Sequence, residues 1–219
     1  WDVGSGEVLT ALTGHSNSVW GVAFNPNGEM LASASSDKTI KLWDVDSGEV
    51  LTTLTGHSDR VWGVAFNPNG EVLASASSDK TIKLWDVGSG EVLTTLTGHS
   101  DRVSSVAFSP DGEMLASAGG DQTIKLWDVL SGENVTTLSG HRFDVNSVTF
   151  SPNGKILASA SWDDTIKLWD VSSGAGFNTL SEHETVVFSV AFSPDGKTLA
   201  SASVQEIKLW HIGSLPIMR

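Results

Sequence analysis

Histidine, serine and aspartate are the side chains of a hydrolytic triad, in which the imidazole takes the hydroxyl proton and the carboxylate orients the imidazole. This 219-residue chain carries all three many times over. Gly-His stands at 14, 56, 98 and 140, and Ser-x-x-x-Asp begins at Ser33, Ser75, Ser117 and Ser159. Each set is followed by Trp-Asp, at Trp43, Trp85, Trp127 and Trp169. A reaction centre needs its constellation once, at an unusual place, whereas here every member recurs at a fixed interval. No G-x-S-x-G turn is present to lift a serine into an exposed elbow. The pattern therefore points to framework, and no catalytic residue is assigned.

Metal chemistry fares no better. Asp44-Val45-Asp46-Ser47-Gly48 approaches a calcium loop, but the fifth position lacks Asp or Asn and Thr55 occupies the twelfth, where a bidentate Glu is required. With no cysteine there is neither a disulfide framework nor a thiolate metal site, and the expectation is a cytoplasmic protein with no cofactor and no metal. Asn134-Val135-Thr136 is a glycosylation triplet, of use only in a secretory context.

The elements that position these residues come from a repeat. His15–Gly56 and His57–Gly98 are two 42-residue copies that differ only at Asn17/Asp59, Ser18/Arg60, Met30/Val72 and Asp46/Gly88. Repeats fall at about 14–55, 56–97, 98–139, 140–181 and 182–211; the last opens with Glu182-His183, ends at Trp210-His211 and is one residue short. Trp1-Asp2 reads as the tail of a sixth copy.

Within the second copy, Val61–Phe66 is a β-prone run that ends at Asn67-Pro68-Asn69-Gly70, a turn built from a φ-fixing proline and left-handed Asn-Gly positions. Val72–Ser77, Thr81–Trp85 and Glu91–Leu96 follow, separated by the turns Ser78-Asp79-Lys80 and Asp86–Gly90. Four strands in 42 residues leave no room for a helix. The spacing of Val61, Val64 and Phe66 departs from strict alternation by one residue, which predicts a bulge at Trp62. A four-stranded sheet that is apolar on both faces must stack on its neighbours, and the architecture that stacks such units is the propeller.

Gly-His, Ser-x-x-x-Asp and Trp-Asp at this spacing resemble WD40 repeats, over essentially the whole chain. The resemblance implies an all-β, five-bladed WD40 propeller of four-stranded antiparallel blades, forming a single domain over 1–219. It also implies a hydrogen-bonded structural tetrad in each blade: His15, Ser33, Asp37 and Trp43; His57, Ser75, Asp79 and Trp85; His99, Ser117, Asp121 and Trp127; His141, Ser159, Asp163 and Trp169. In the fifth copy His183, Ser201 and Trp210 remain, but Gln205 stands near the place of the Asp, which makes blade five the expected weak point. In this family the fourth strand of each sequence repeat is the outer strand of the next blade. Residues 1–13, through Glu7–Leu12, would then pair with the strand ending at Trp210 and close the ring, leaving a monomer with no open edge. The alternative is a fragment that assembles into a larger propeller through copies of itself. The regularity is similar to that of bacterial, notably cyanobacterial, WD40 arrays.

Composition bounds the partner. A formal charge of −13 argues against nucleic acid as the main ligand, since that affinity rests on clustered Lys and Arg. No apolar run approaches the roughly 18 residues that cross a bilayer, so no membrane role is expected. What remains is a non-enzymatic scaffold that binds a protein or peptide. Its site should lie where the copies differ. The bulge position reads Trp20, Trp62, Ser104, Asn146, Phe188; two residues earlier it reads Ser18, Arg60, Arg102, Asp144, Val186; the residue before the tetrad carboxylate reads Ser36, Ser78, Gly120, Trp162, Val204. In WD40 proteins these positions line the top face around the central channel. Aromatic residues and Arg dominate binding hot spots, so Trp20, Trp62, Trp162 and Phe188 are the expected apolar anchors and Arg60 and Arg102 the polar ones. Asp59 and Asp101 are the expected neutralisers of the adjoining Arg residues. An acidic or phosphorylated peptide is one version of the ligand. A recently amplified or engineered array with no evolved ligand is the competing reading.

Overall fold

The β-prone runs become strands where the turn residues release them, and the second copy illustrates the rule: its four strands are Val61–Phe66, Val72–Ser77, Thr81–Asp86 and Val92–Thr97. The structure is a computed structural model and describes residues 2–212; Trp1 lies outside them. Blade one contains β1 (Val19–Phe24), β2 (Met30–Ser35), β3 (Ile40–Asp44) and β4 (Val50–Leu54), and blade two contains β5 to β8, the four strands just given. Blade three contains β9 (Val103–Phe108), β10 (Met114–Gly119), β11 (Thr123–Asp128) and β12 (Asn134–Ser139). Blade four contains β13 (Val145–Phe150), β14 (Ile156–Ser161), β15 (Ile166–Asp170) and β16 (Gly176–Leu180). Blade five contains β17 (Val187–Phe192), β18 (Thr198–Ser203) and β19 (Ile207–His211). Each sheet is a simple antiparallel meander, and no helix occurs among the described residues.

The bulge falls where the alternation broke. Pairing of β5 with β6 shifts register between Val61 and Gly63, so Trp62 is the extra residue, and the same step recurs at Trp20, Ser104, Asn146 and Phe188. The Pro-Asn-Gly turn uses its glycine, Gly70, at φ +78°. One feature of the next turn was not legible: Lys80 sits at φ +70°, as do Lys38, Gln122 and Asp164 at similar angles. A left-handed non-glycine residue costs about 1–2 kcal/mol. Asp79 offsets it by accepting hydrogen bonds from the Thr81 backbone N–H (3.0 Å) and hydroxyl (2.6 Å), which pins the turn from the far side.

The apolar core is divided into four slabs, each between successive blades. Ala32, Ala34, Ile40, Leu42 and Leu54 of blade one pack on Val61, Leu73 and Trp85 of blade two. Blades two and three, three and four, and four and five repeat the arrangement with the equivalent residues. The inner strands converge on one axis, and Phe24, Phe66, Phe108, Phe150 and Phe192, one from each blade, line a cavity at one mouth.

Among the described residues no fifth slab joins blade five to blade one. The sheet of blade five has three strands, Glu7–Leu12 is assigned to no strand, and the expected closing pairing is absent from the described ladders. Ile207 and Leu209 are both 73% exposed, whereas their counterparts Ile40 and Leu42 are fully buried. The N-terminal segment nonetheless sits where an outer strand of a preceding blade belongs. A methyl placed on Gly48 would lie 3.3 Å from Leu12 and 3.5 Å from Thr10, as one on Gly90 would meet Leu54 and Thr52. The contacts between successive turns also differ at this junction. Pro26, Pro68, Pro110 and Pro152 each pack on the glycine of the following blade at 3.1–3.5 Å, but nothing lies within 4 Å of the equivalent point on Gly28. In dilute solution the amides of Ile207–His211 are expected to exchange with solvent faster than those of Thr81–Asp86, because their strand is an uncovered edge; hydrogen-exchange mass spectrometry resolves the two peptides.

Candidate functional site

The recurring polar residues form one relay per blade. In blade two, the Trp85 indole N–H donates to Ser75 Oγ at 2.8 Å, and Ser75 Oγ lies 2.7 Å from His57 Nε2. His57 Nδ1 lies 2.7 Å from Asp79 Oδ2, which also accepts the Ser58 backbone N–H at 3.0 Å. An ionised carboxylate can only accept, so Nδ1 carries the proton, Nε2 accepts, and the serine hydroxyl donates to it. That is the polarity of a hydrolytic triad, yet Ser75 is 0% exposed and its oxygen is already occupied by the indole. The hydroxyl cannot meet a substrate. The same geometry joins His15, Ser33, Asp37 and Trp43; His99, Ser117, Asp121 and Trp127; and His141, Ser159, Asp163 and Trp169.

Blade five keeps its relay by a different route. Glu206, not Gln205, supplies the carboxylate: His183 Nδ1 lies 3.0 Å from Glu206 Oε1, and Ser201 binds both His183 Nε2 (2.7 Å) and Trp210 Nε1 (2.8 Å). The longer side chain compensates for the deleted residue. It is also far more exposed than the Asp side chains, and Lys208 Nζ reaches the same oxygen at 3.3 Å.

Burial and hydrogen bonding set the ionisation of these groups in opposite ways. Burial alone would raise the Asp79 carboxyl, but hydrogen bonds from Thr81, His57 and Ser58 outweigh it and hold it at about 2. Asp37, Asp121 and Asp163 are depressed by the same balance. Burial depresses His57 and His141, against the pull of their aspartates. Both kinds of shift mean that the folded state binds fewer protons than the unfolded chain. The histidine contribution is complete above pH about 6.5 and is lost as pH falls below it; the aspartate contribution is complete above about 4 and is lost toward 2. Thermal melts at decreasing pH are expected to show Tm falling through both windows.

The variable positions gather at the opposite mouth from the phenylalanine ring. Trp20 and Trp62, the two bulge residues, stand with ring centroids 4.8 Å apart, and each indole N–H donates at 2.6 Å to the serine before its tetrad aspartate, Ser36 or Ser78. The Arg102 guanidinium lies 5.6 Å from the Trp62 ring and 5.7 Å from the Trp162 ring, within cation–π range of both. Its Nη2 donates to Asp144 Oδ2 at 2.8 Å. Gly120 makes room, since a methyl there would lie 3.2 Å from Arg102 Cγ. Trp20, Trp62, Arg102 and Trp162 thus form a continuous run over four blades.

Two of the six expected anchors stand apart. Phe188 is half-exposed on blade five, beyond the run, and Arg60 is exposed, its backbone N–H bonded to Asp59 Oδ1 at 2.8 Å. The expected neutralisers are also corrected: Asp101, like Asp59, caps the backbone N–H of its neighbour, and the carboxylate that pairs with Arg102 is Asp144. The signal was in the sequence. Arg102 and Asp144 occupy the same column in adjacent copies, 42 residues apart.

Meandering antiparallel blades around an axis, each fastened by a His–Ser–Trp–carboxylate relay, define a β-propeller-type repeat protein. The chain belongs to the WD40 family: the model described as "WD domain, G-beta repeat" matches residues 6–44, 48–86, 90–128, 132–170 and 176–211. The last four matches each run from the start of one blade's outer strand, or two residues before it, to the residue after the Trp of the next blade, so sequence repeat and blade are offset by one strand. Among curated proteins, the chain is similar to the probable cytosolic iron-sulfur protein assembly protein CIAO1 homolog of Chlamydomonas reinhardtii, with 53% identity over 36 residues, 16% of this chain and 10% of that protein. It is also similar to the periodic tryptophan protein 2 homolog of Mus musculus, with 48% identity over 42 residues, 19% of this chain and 5% of that protein. The matches cover one repeat's length in relatives that are much longer.

The tetrad serine is the centre of the relay, so its removal is the sharpest test of the framework role. Ser75→Ala would leave the His57 and Trp85 nitrogens buried without partners and is expected to lower stability by about 2–4 kcal/mol. Urea unfolding followed by tryptophan fluorescence measures it.

Proposed function

We propose that this chain is a non-catalytic scaffold that grips a protein or peptide on the face formed by Trp20, Trp62, Arg102 and Trp162. The observation that carries the proposal is that this contiguous, partly exposed run is built from positions at which the copies differ, while the framework positions are nearly invariant between copies. WD40 repeats typically mediate protein interactions, and the curated relative of Chlamydomonas is named as a probable cytosolic iron-sulfur protein assembly protein.

The geometry favours the indoles over the guanidinium as primary anchors. Arg102 is clamped between two rings and paired with Asp144, so its first task is to hold Trp62 and Trp162 in place. An acidic or phosphorylated ligand would have to compete with Asp144. A partner that lays an apolar or aromatic side chain on the indole faces has no such competitor. The polar rim of Arg60 and the apolar Phe188 extend the footprint to either side.

The test is capture from a native proteome by the full chain and by a variant carrying Trp62→Ala, Arg102→Ala and Trp162→Ala. Each anchor removed is expected to weaken binding by at least 1 kcal/mol, about five-fold, and the triple variant should retain no specific partner. An unchanged partner set would overturn the assignment of the site to this face, and the absence of any specific partner for the full chain would favour the reading of an amplified array without an evolved ligand.

A further inference from the structure

One turn position belongs neither to the framework nor to the proposed ligand face, and it changes character from copy to copy: Asp46, Gly88, Leu130, Ser172. Only blade three sets a large apolar side chain there, and it is 98% exposed. An isolated surface leucine needs no explanation. Leu130, however, lines a cavity of about 690 Å³ between blades two and three. Leu93 of β8, 56% exposed, shares the lining with Val72, Leu84 and Val129, which belong to the slab between these two blades. The rim is held in shape by two turns of blade three, tied together where the Val129 N–H donates to the Glu113 carbonyl at 2.9 Å. Both turns are seated on blade two: a methyl on Gly112 would lie 3.1 Å from Pro68, and one on Gly132 would lie 3.2 Å from Leu96. The polar edge carries one sign of charge. Glu113 and Asp128 line the cavity, no Lys or Arg does, and among the described residues neither carboxylate is ion-paired. Hydrogen bonds from the Ser131 backbone N–H (2.7 Å) and hydroxyl (2.8 Å) hold the Asp128 carboxyl below its ordinary range. The four turns of blades two and three on this side, 67–71, 86–91, 109–113 and 128–133, contain seven carboxylates and no Lys or Arg. In blade four, by contrast, Lys155 stands at the place of Glu113 and Ser172 at the place of Leu130.

We infer that this groove receives a segment of a partner protein in which a large apolar side chain is flanked by Lys or Arg. The apolar side chain covers Leu93, Val129 and Leu130, and the flanking cations meet Glu113 and Asp128. Charge complementarity selects the sign of the partner, and burial of the exposed leucines supplies affinity. A cleft whose turns are already fixed costs less to fill than one that must first form. Its volume falls within the range of pockets that hold ligands, roughly 300–1,000 Å³. The groove lies at the opposite end of β11 from Gly120 and Arg102, so it is a second surface, and filling it leaves the proposed ligand face open.

Methyl NMR of the full chain, titrated with two end-blocked hexapeptides, tests this. The probes are Gly-Lys-Leu-Leu-Lys-Gly and its acidic counterpart Gly-Glu-Leu-Leu-Glu-Gly. The basic peptide is expected to shift the methyls of Leu93, Val129 and Leu130 saturably and to bind more weakly as salt rises, and the acidic one to leave them unmoved. Blade four supplies two substitutions that a sister blade already accommodates, Leu130→Ser and Glu113→Lys, and circular dichroism checks that both variants fold. Each is expected to weaken binding of the basic peptide by about five-fold or more. Trp62→Ala with Trp162→Ala should leave that binding unchanged, which separates this groove from the proposed ligand face. No saturable shift, an equal response to both peptides, or binding indifferent to both groove variants would overturn the inference. So would shifts at Leu130 on concentrating the chain alone, because a second copy would then be the occupant.

Discussion

A sheet of four short strands with apolar side chains on both faces has no stable existence in water until each face is covered. Everything else in this molecule follows from that requirement. Blades two, three and four meet it on both sides, because the slabs before and after them bury Ile82, Leu84, Val103 and their counterparts completely. Blades one and five meet it on one side only. The stability of the array is then a sum of blades and the junctions between them.

The hydrogen-bonded relay is the second constraint, and it serves the first. Packing an indole such as Trp85 into a slab also buries its N–H, and the serine that accepts that proton is itself buried and needs an acceptor. Histidine and aspartate continue the chain to the edge, where backbone and threonine donors finish it. The resulting set has the order of a hydrolase triad with the reactive oxygen sealed inside. Its chemistry is spent on satisfying buried polar groups, which is why it recurs in every blade.

Freed from structural duty, the bulge positions vary. At the bulge, Trp20 and Trp62 stack on each other, and the serine before each tetrad aspartate fixes the indole edge. In blade four the large residue moves to the other column, where Trp162 meets Arg102 from the far side. The face is thus assembled by exchange between two neighbouring columns and not by repetition.

Strand positions and the bulge at Trp62 were legible because each rests on local chemistry repeated in register, alternation and turn residues. The tetrads of the first four blades, and the expectation that the variable residues share one face, came from the resemblance to WD40 repeats. Tertiary structure alone decided which of them touch, since the clamp of Arg102 by Trp62, Trp162 and Asp144 spans three blades and depends on the angle between sheets. It also decided that Glu206 replaces the missing aspartate, because reach through space, not register in sequence, selects a carboxylate. A repeat specifies how one blade sits on the next, but the number of blades a ring takes depends on the summed rotation of the junctions, which no single repeat encodes.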